Sequence, residues 1–348
     1  MFPTYEQVVS HMDADIQAVA AARKHSQAVF RRWQTVAILA TALAILSLVI
    51  TSVSESLQSY TFTVLVITGA IAAILIIVTI SIGFTQHAKL TKQFKENIVA
   101  KIAQTMISQC QLPNQSENQF HCSYEPNNHI SPIMVDHSKL FPYQVDKYRG
   151  ADLFTGQIGL TAFEFSELHL IQVQTSVDSK GRTTRRDVTM FKGILYVVDF
   201  NKKFNGITTL HAETLVSNSF IGKWLQPLRR MSRGSYEGQK KLSIDVENEA
   251  FNLAFDITTT DEIEARYILS SSMIERILEF RKRHPQKTEI SFVDSLMCIS
   301  LQDSKNYFEI KLFAKDIDKE LRLIYEDFRF FFGMVEVFDL NTRIWSKE

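Results

Sequence analysis

At 348 residues the chain is longer than one minimal domain, and its 38 lysines and arginines equal its 38 aspartates and glutamates. That balance argues against a dedicated nucleic-acid binder, which shows a clear basic excess. Cys110, Cys122 and Cys298 form no pairing framework, and an odd count suits a reducing compartment.

The first segment, residues 1–34, contains "YEQVVSHMDADIQAVAAARKHSQAVF", which lacks Gly and Pro and spaces Val8, Met12, Ile16 and Val19 as a helix would. It is predicted as a cytosolic amphipathic helix running into the next element. No formal charge occurs between Arg32 and Glu55, nor between Glu55 and Lys89. At a rise of about 1.5 Å per residue, about 20 helical residues cross a hydrocarbon core of roughly 30 Å. Core helices of soluble proteins keep a polar stripe. These two stretches are apolar on every side apart from Ser and Thr, whose hydroxyls can bond back to their own helix. They predict membrane spans at 35–54 and 61–84. About thirty polar and amphipathic residues precede the first, and no Ala-x-Ala site follows, so it reads as a retained span rather than a cleaved signal.

Arg23, Lys24, Arg31 and Arg32 lie before the first span, and Lys89, Lys92, Lys95 and Lys101 follow the second. The connector "SESLQSY" has no basic residue. Positive charge marks the cytoplasmic side, so both termini are expected in the cytosol, with Trp33 and Tyr60 as interfacial anchors. Residues 85–112 place Leu90, Phe94, Ile98, Ile102 and Met106 at successive steps of four, a juxtamembrane helix with one apolar stripe. That stripe has two possible seats, the first helix or the globular domain, and the sequence does not choose between them.

Residues 113–149 read as a linker with short helical turns around "SPIMVDHSKLF". From 150 to 348 a mainly antiparallel α+β domain is expected. In "GLTAFEFSELHLIQVQT" the apolar residues change parity after Phe165, which predicts a β-bulge near Ser166 and Glu167. The polar connector "SVDSKGRTTRRD" leads to a second long strand, "VTMFKGILYVVDF". Both faces of that strand are apolar, so it is expected at the centre of a sheet covered on both sides. "KLSIDVENEAFNLAFDIT" predicts a strand, a turn and a strand. Thr259 with Glu262, and Ser272 with Glu275, fit capping boxes of two helices. "ISFVDSLMCISLQ" and "YFEIKLF" predict closing strands. Ile317, Leu321, Ile324, Phe328, Phe331, Val335 and Phe338 form the core-facing stripe of a final helix. Strands in hairpins, then helices, define the α+β class.

The segments "YRGADLFTGQIGLTAFEFSELHL", "MFKGILYVVDFNKKFNG", "DVENEAFNLAFDITTTDEIEARYIL" and "LNTRIW" together resemble a bacterial membrane-anchored family defined only as a domain of unknown function, DUF3137. The resemblance covers roughly residues 148–345 and the paired N-terminal spans. It implies a two-span anchor at the inner membrane with a cytosolic domain, and it implies no reaction.

Catalytic signatures such as G-x-S-x-G, the Walker A loop, a strand-borne G-x-G-x-x-G and H-E-x-x-H do not occur. His121, Cys122, His129, Asp136 and His137 are all potential zinc ligands, but their spacing fits no finger. No catalytic residue, metal or cofactor is assigned. Two basic clusters are candidate contacts for a membrane surface or a partner. One holds Lys180, Arg182, Arg185 and Arg186; the other holds Arg229, Arg230 and Arg233 with Trp224. Asp199, Asn201 and Lys202 end a buried strand, where acid and amide side chains either serve a site or stop the strand. The leading functional reading is a membrane-anchored cytosolic binding or scaffold module, contacting the bilayer and a protein partner or a second copy. An enzyme acting on a membrane-proximal substrate is the alternative. A small oligomeric transport or channel subunit comes third, since neither span holds the ionisable group that marks a pathway.

Overall fold

The structure is a computed structural model, and it describes residues 2–53, 61–110, 120–177, 180–200, 202–212, 241–284, 286–314, 316–338 and 340. The chain divides into two compact units. One comprises Thr4–Ile102 with Phe308–Ile324; the other comprises Met1–Pro3, Ala103–Tyr307 and Tyr325–Glu348.

The helical unit opens with α1 (Tyr5–Val9), capped by Thr4, whose side chain accepts from the Gln7 N–H while Gln7 bonds back to the Thr4 N–H. Helix α2 (Asp13–Val53) and helix α3 (Thr61–Phe94) follow, each long and apolar enough to cross a membrane. Their apolar side chains point outward: Ile38 is 61% exposed and Ile77 62%. The expected back-bonding of hydroxyls is present, with Thr41 Oγ1 2.7 Å from the Ala37 carbonyl and Thr68 Oγ1 2.6 Å from that of Val64. A single π turn (Lys95–Val99) joins α3 to α4 (Ala100–Ser108). Leu90, Phe94, Ile98 and Ile102 are buried, and Lys101 pairs with Asp15 at 2.5 Å. That ion pair joins α4 to the start of α2.

A segment from the far end of the chain completes this unit. Arg23 donates to the Ala314 carbonyl at 2.9 Å and to Glu320 at 2.5 Å, and Gln27 donates to the Leu312 carbonyl at 2.7 Å. "YFEIKLF" was expected as a strand, and it is irregular. Phe308, Ile310 and Leu312 are buried with period two, but none of the nine described strands includes or pairs with them. Side chains take the place of the ladder: besides the Arg23 and Gln27 bonds, Glu320 accepts from the Lys311 N–H.

Among the described residues the sheet unit holds one antiparallel sheet of nine strands in the order β1-β2-β3-β4-β9-β8-β5-β7-β6. The strands are β1 (Phe120–Glu125), β2 (Lys147–Ile158), β3 (Thr161–Val177), β4 (Thr183–Asp199), β5 (Thr208–Ala212), β6 (Leu242–Ile244), β7 (Phe255–Thr259), β8 (Lys287–Val293) and β9 (Leu296–Gln302). Helices α5 (Pro132–His137), α6 (Glu249–Ala254), α7 (Glu262–Ile268), α8 (Ser271–Arg283) and α9 (Ile317–Val337) complete the described elements. The α+β class read from the sequence therefore holds.

β4 lies between β3 and β9, as its two apolar faces require. On one face Leu195 and Val197 pack with Leu168, Leu170, Ile130, Val135 and Leu140. On the other, Tyr196 stacks on Phe165, and Phe165 stacks on Phe331 of the final helix at 4.7 Å. The parity change in β3 thus has a different cause from the one expected. β3 stays in regular register with β4 from Phe163 to Leu170, and its two apolar sets face two different covers. The bulge is in β2, where Asp152 and Leu153 intervene between the pairs Ala151–Glu167 and Phe154–Phe165; Asp152 has φ 60°.

Local chemistry corrects several other expectations. Phe120–Glu125, read as part of a linker, is an edge strand paired with β2. The turn within "KLSIDVENEAFNLAFDIT" is the helix α6, capped by Asn248. Helix α7 is capped by Asp261 rather than Thr259, whose hydroxyl accepts from the Asp261 N–H one step earlier. Helix α8 is capped by Ser270 rather than Ser272. The cap is the residue with extended backbone, and a hydroxyl two residues away cannot serve.

Candidate functional site

The basic connector turns out to be mostly strand. β3 extends to Val177 and β4 starts at Thr183, so Arg185 and Arg186 belong to a strand, with Lys180 and Arg182 at the turn. Beyond Ile171, among the described residues, the two strands pair only with each other. Six residues at about 3.3 Å each make a two-stranded arm of about 20 Å. Its root is clamped: the Asp146 carboxylate accepts from the Val173 N–H at 2.7 Å, and Lys147 pairs with Asp187 at 2.7 Å. Gly181, at φ 75°, makes the turn. Arg185 opposes Thr175 and Arg186 opposes Gln174, so the arginines point to opposite faces of an exposed ribbon. The second basic cluster, Arg229, Arg230 and Arg233 with Trp224, lies outside the described residues.

The strand end separates two of its three candidates; Asn201 lies outside the described residues. Lys202 sits 3.5 Å from the centre of the Tyr267 ring. Burial lowers its pKa, and the Glu264 charge opposes that shift. Glu264 in turn accepts from the Asn205 and Gly206 N–H groups, at 3.0 and 2.7 Å. Phe200 donates its N–H to the Ser295 carbonyl at 2.8 Å, and its ring meets Phe292 edge-on at 5.3 Å. From Phe200 onward this is a well-bonded turn.

Asp199 belongs to a different environment. Register places Ser123, Thr155, Glu164, Val197 and Cys298 in one row across five strands. His121 and Asp199 lie two residues along on the same face. His121, Ser123, Thr155, Glu164, Val197 and Asp199, together with Ala162, Leu296 and Met134 of α5, line a cleft of about 500 Å³. Burial raises the pKa of Glu164. Glu164 makes no hydrogen bond or ion pair among the described residues. It was visible in the sequence as a charge inside an alternating strand, but its neighbours come from β1, β2 and β4 and cannot be read from spacing.

A second polar group emerges on β5 and β8. Glu289 holds Lys287 at 2.8 Å and His211 Nδ1 at 3.6 Å, while His211 Nε2 lies 3.2 Å from the Thr209 hydroxyl. Thr209 is fully buried and bonded to Thr258 at 2.6 Å, so it cannot meet a substrate. His211, Lys287 and Glu289 themselves line a smaller cleft of about 160 Å³. The potential zinc ligands are scattered: Asp136 accepts from the Tyr148 hydroxyl, and His137 pairs with Asp294 at 3.0 Å. Burial raises the Cys110, Cys122 and Cys298 thiols to about 11, 12 and 12, far from a reactive thiolate.

Residues 189–340 match the family model described as "Protein of unknown function (DUF3137)". The match starts in β4 and extends into the segment after α9, so β1 to β3 lie ahead of it. A search of curated proteins returns no match. Among solved structures the chain is similar to the crystal structure of the mycobacterial trehalose monomycolate transport factor A, TtfA, at 8% identity and a TM-score of 0.29. That alignment covers 62% of this chain and 88% of the other, and at that score it decides nothing about fold or function.

Proposed function

We propose that the chain is a membrane-anchored binding module. Helices α2 and α3 form a two-span hairpin in the inner membrane, and both termini and the sheet unit stand in the cytosol. The observation that carries this reading is the outward apolar surface of the two helices, which no described part of the molecule covers. In water a patch of that extent drives aggregation, and in lipid it is solvated. The basic residues flanking the hairpin, and their absence from the connector, support the orientation.

The arm is the contact element of this reading. Lys180, Arg182, Arg185 and Arg186 project from a clamped, rigid root, and each basic residue beside an anionic leaflet is worth about 1 kcal/mol. We assign the arm to anionic headgroups. The full chain with a spin label at Thr184 tests this in lipid nanodiscs. Phosphatidylglycerol mixed into phosphatidylcholine should shield the label from a water-soluble relaxing agent. Replacing all four basic residues by Gln should restore its exposure. Equal exposure in charged and uncharged discs would overturn the assignment and leave an acidic protein as the arm's partner.

A further inference from the structure

We propose that the cleft on β1 to β4 binds a small organic cation with an apolar body, its charge set against Glu164 and its body against Val197, Leu296 and Met134. This inference is independent of the membrane anchor, since every lining residue belongs to the sheet unit.

The first argument is Glu164 itself. A carboxylate taken partly out of water costs free energy unless it is paired or bonded. Burial already holds its pKa up, and no hydrogen bond or ion pair among the described residues compensates. A group left in that state beside a cleft, rather than turned to solvent, is suited to a partner that arrives from outside.

The second argument is the chemistry of the wall. The lining carries Glu164 and Asp199 but no Lys or Arg, which excludes an anion. His121, Ser123 and Thr155 add hydrogen-bonding groups, and Cys298, next in the row, stays a neutral thiol because burial raises it to about 12. No group of three or more His, Cys, Asp or Glu side chains among the described residues converges as metal ligands. A bare metal ion is therefore poorly served, and a volume of about 500 Å³ is far more than one needs. It falls within the range of roughly 300–1,000 Å³ typical of small-molecule sites. The apolar residues Ala162, Val197, Leu296 and Met134 line the same cleft, so the cation should carry hydrocarbon.

The test uses the full detergent-solubilised chain and three probes of one shape: 2-phenylethylamine, 2-phenylethanol and 3-phenylpropionate. Calorimetry should show the amine binding at least about tenfold more tightly than the alcohol, the step that one 1.4 kcal/mol charge contact gives. The carboxylate should bind weakest. Glu164→Gln should remove the amine's advantage and leave the alcohol within about twofold, and Ala162→Trp should block both. Amine affinity should also rise with pH as Glu164 ionises, a rise that Glu164→Gln abolishes. Replacing a partly buried carboxylate by its amide should not lower the unfolding temperature, so the variant remains usable. Equal binding of amine and alcohol, an unchanged Glu164→Gln variant, or no binding of any probe would each overturn the proposal.

Discussion

Replacing Arg23 by alanine should destabilise the helical unit by about 3–5 kcal/mol, because it leaves a buried carboxylate without its charge. The side chains of Arg23 and Glu320 are only 6% and 12% exposed. Arg23 also holds the Ala314 carbonyl, and Glu320 holds the Lys311 N–H, so the pair fixes the backbone of 308–324 on α2. Lysine should not rescue it, since one ammonium cannot reproduce the two-armed contact of a guanidinium. The double variant Arg23→Met with Glu320→Leu should recover much of the loss, because removing both charges together spares the desolvation cost of either alone. Hydrogen exchange is the measurement. Amides of 308–324 should exchange faster in Arg23→Ala, and amides of the sheet should keep their wild-type rates.

Gly193→Ala should cost about 3 kcal/mol or more, the sum of a strained backbone and an overpacked contact. Gly193 adopts φ 156° and pairs with Leu168 on one side and Gln302 on the other. A Cβ there would overlap the Leu301 carbonyl oxygen and crowd the Asp303 N–H. The obstacle is backbone in a central ladder, which cannot rotate away as a side chain can. Near-ultraviolet circular dichroism during denaturant unfolding reads the loss, since Tyr196 and its neighbouring phenylalanines pack on this strand. Gly181→Ala serves as contrast. Its Cβ would meet open space in the arm's turn, so only the positive φ is paid, and the sheet should keep its midpoint.

Much of this architecture is legible because it depends on period and charge alone. The final helix is the clearest case: Leu321, Ile324, Phe328, Phe331 and Val335 are buried as their three-and-four spacing requires. The two long apolar helices are legible for the same reason, as is the double burial of β4. What the sequence hides is partnership. Phe308, Ile310 and Leu312 alternate like a strand, yet the backbone of this segment is held by side chains: Gln27 bonds the Leu312 carbonyl, Arg23 the Ala314 carbonyl and Glu320 the Lys311 N–H. The parity change after Phe165 looks like a bulge because the sequence does not show that both faces of β3 are covered. The cleft is hidden more deeply still. Glu164 stands out as a charge, but Ser123, Thr155 and Asp199 reach it only through the register of four strands.

The anchor remains the central claim, and reporter fusions test it most directly. One reporter follows Glu348 and the other is inserted in residues 54–60, and each is active on only one side of the membrane. The account predicts a cytosolic signal from the C-terminal fusion and an external signal from the connector. Cytosolic signals from both positions would show that α2 and α3 do not cross the bilayer, and the proposed anchor would fall.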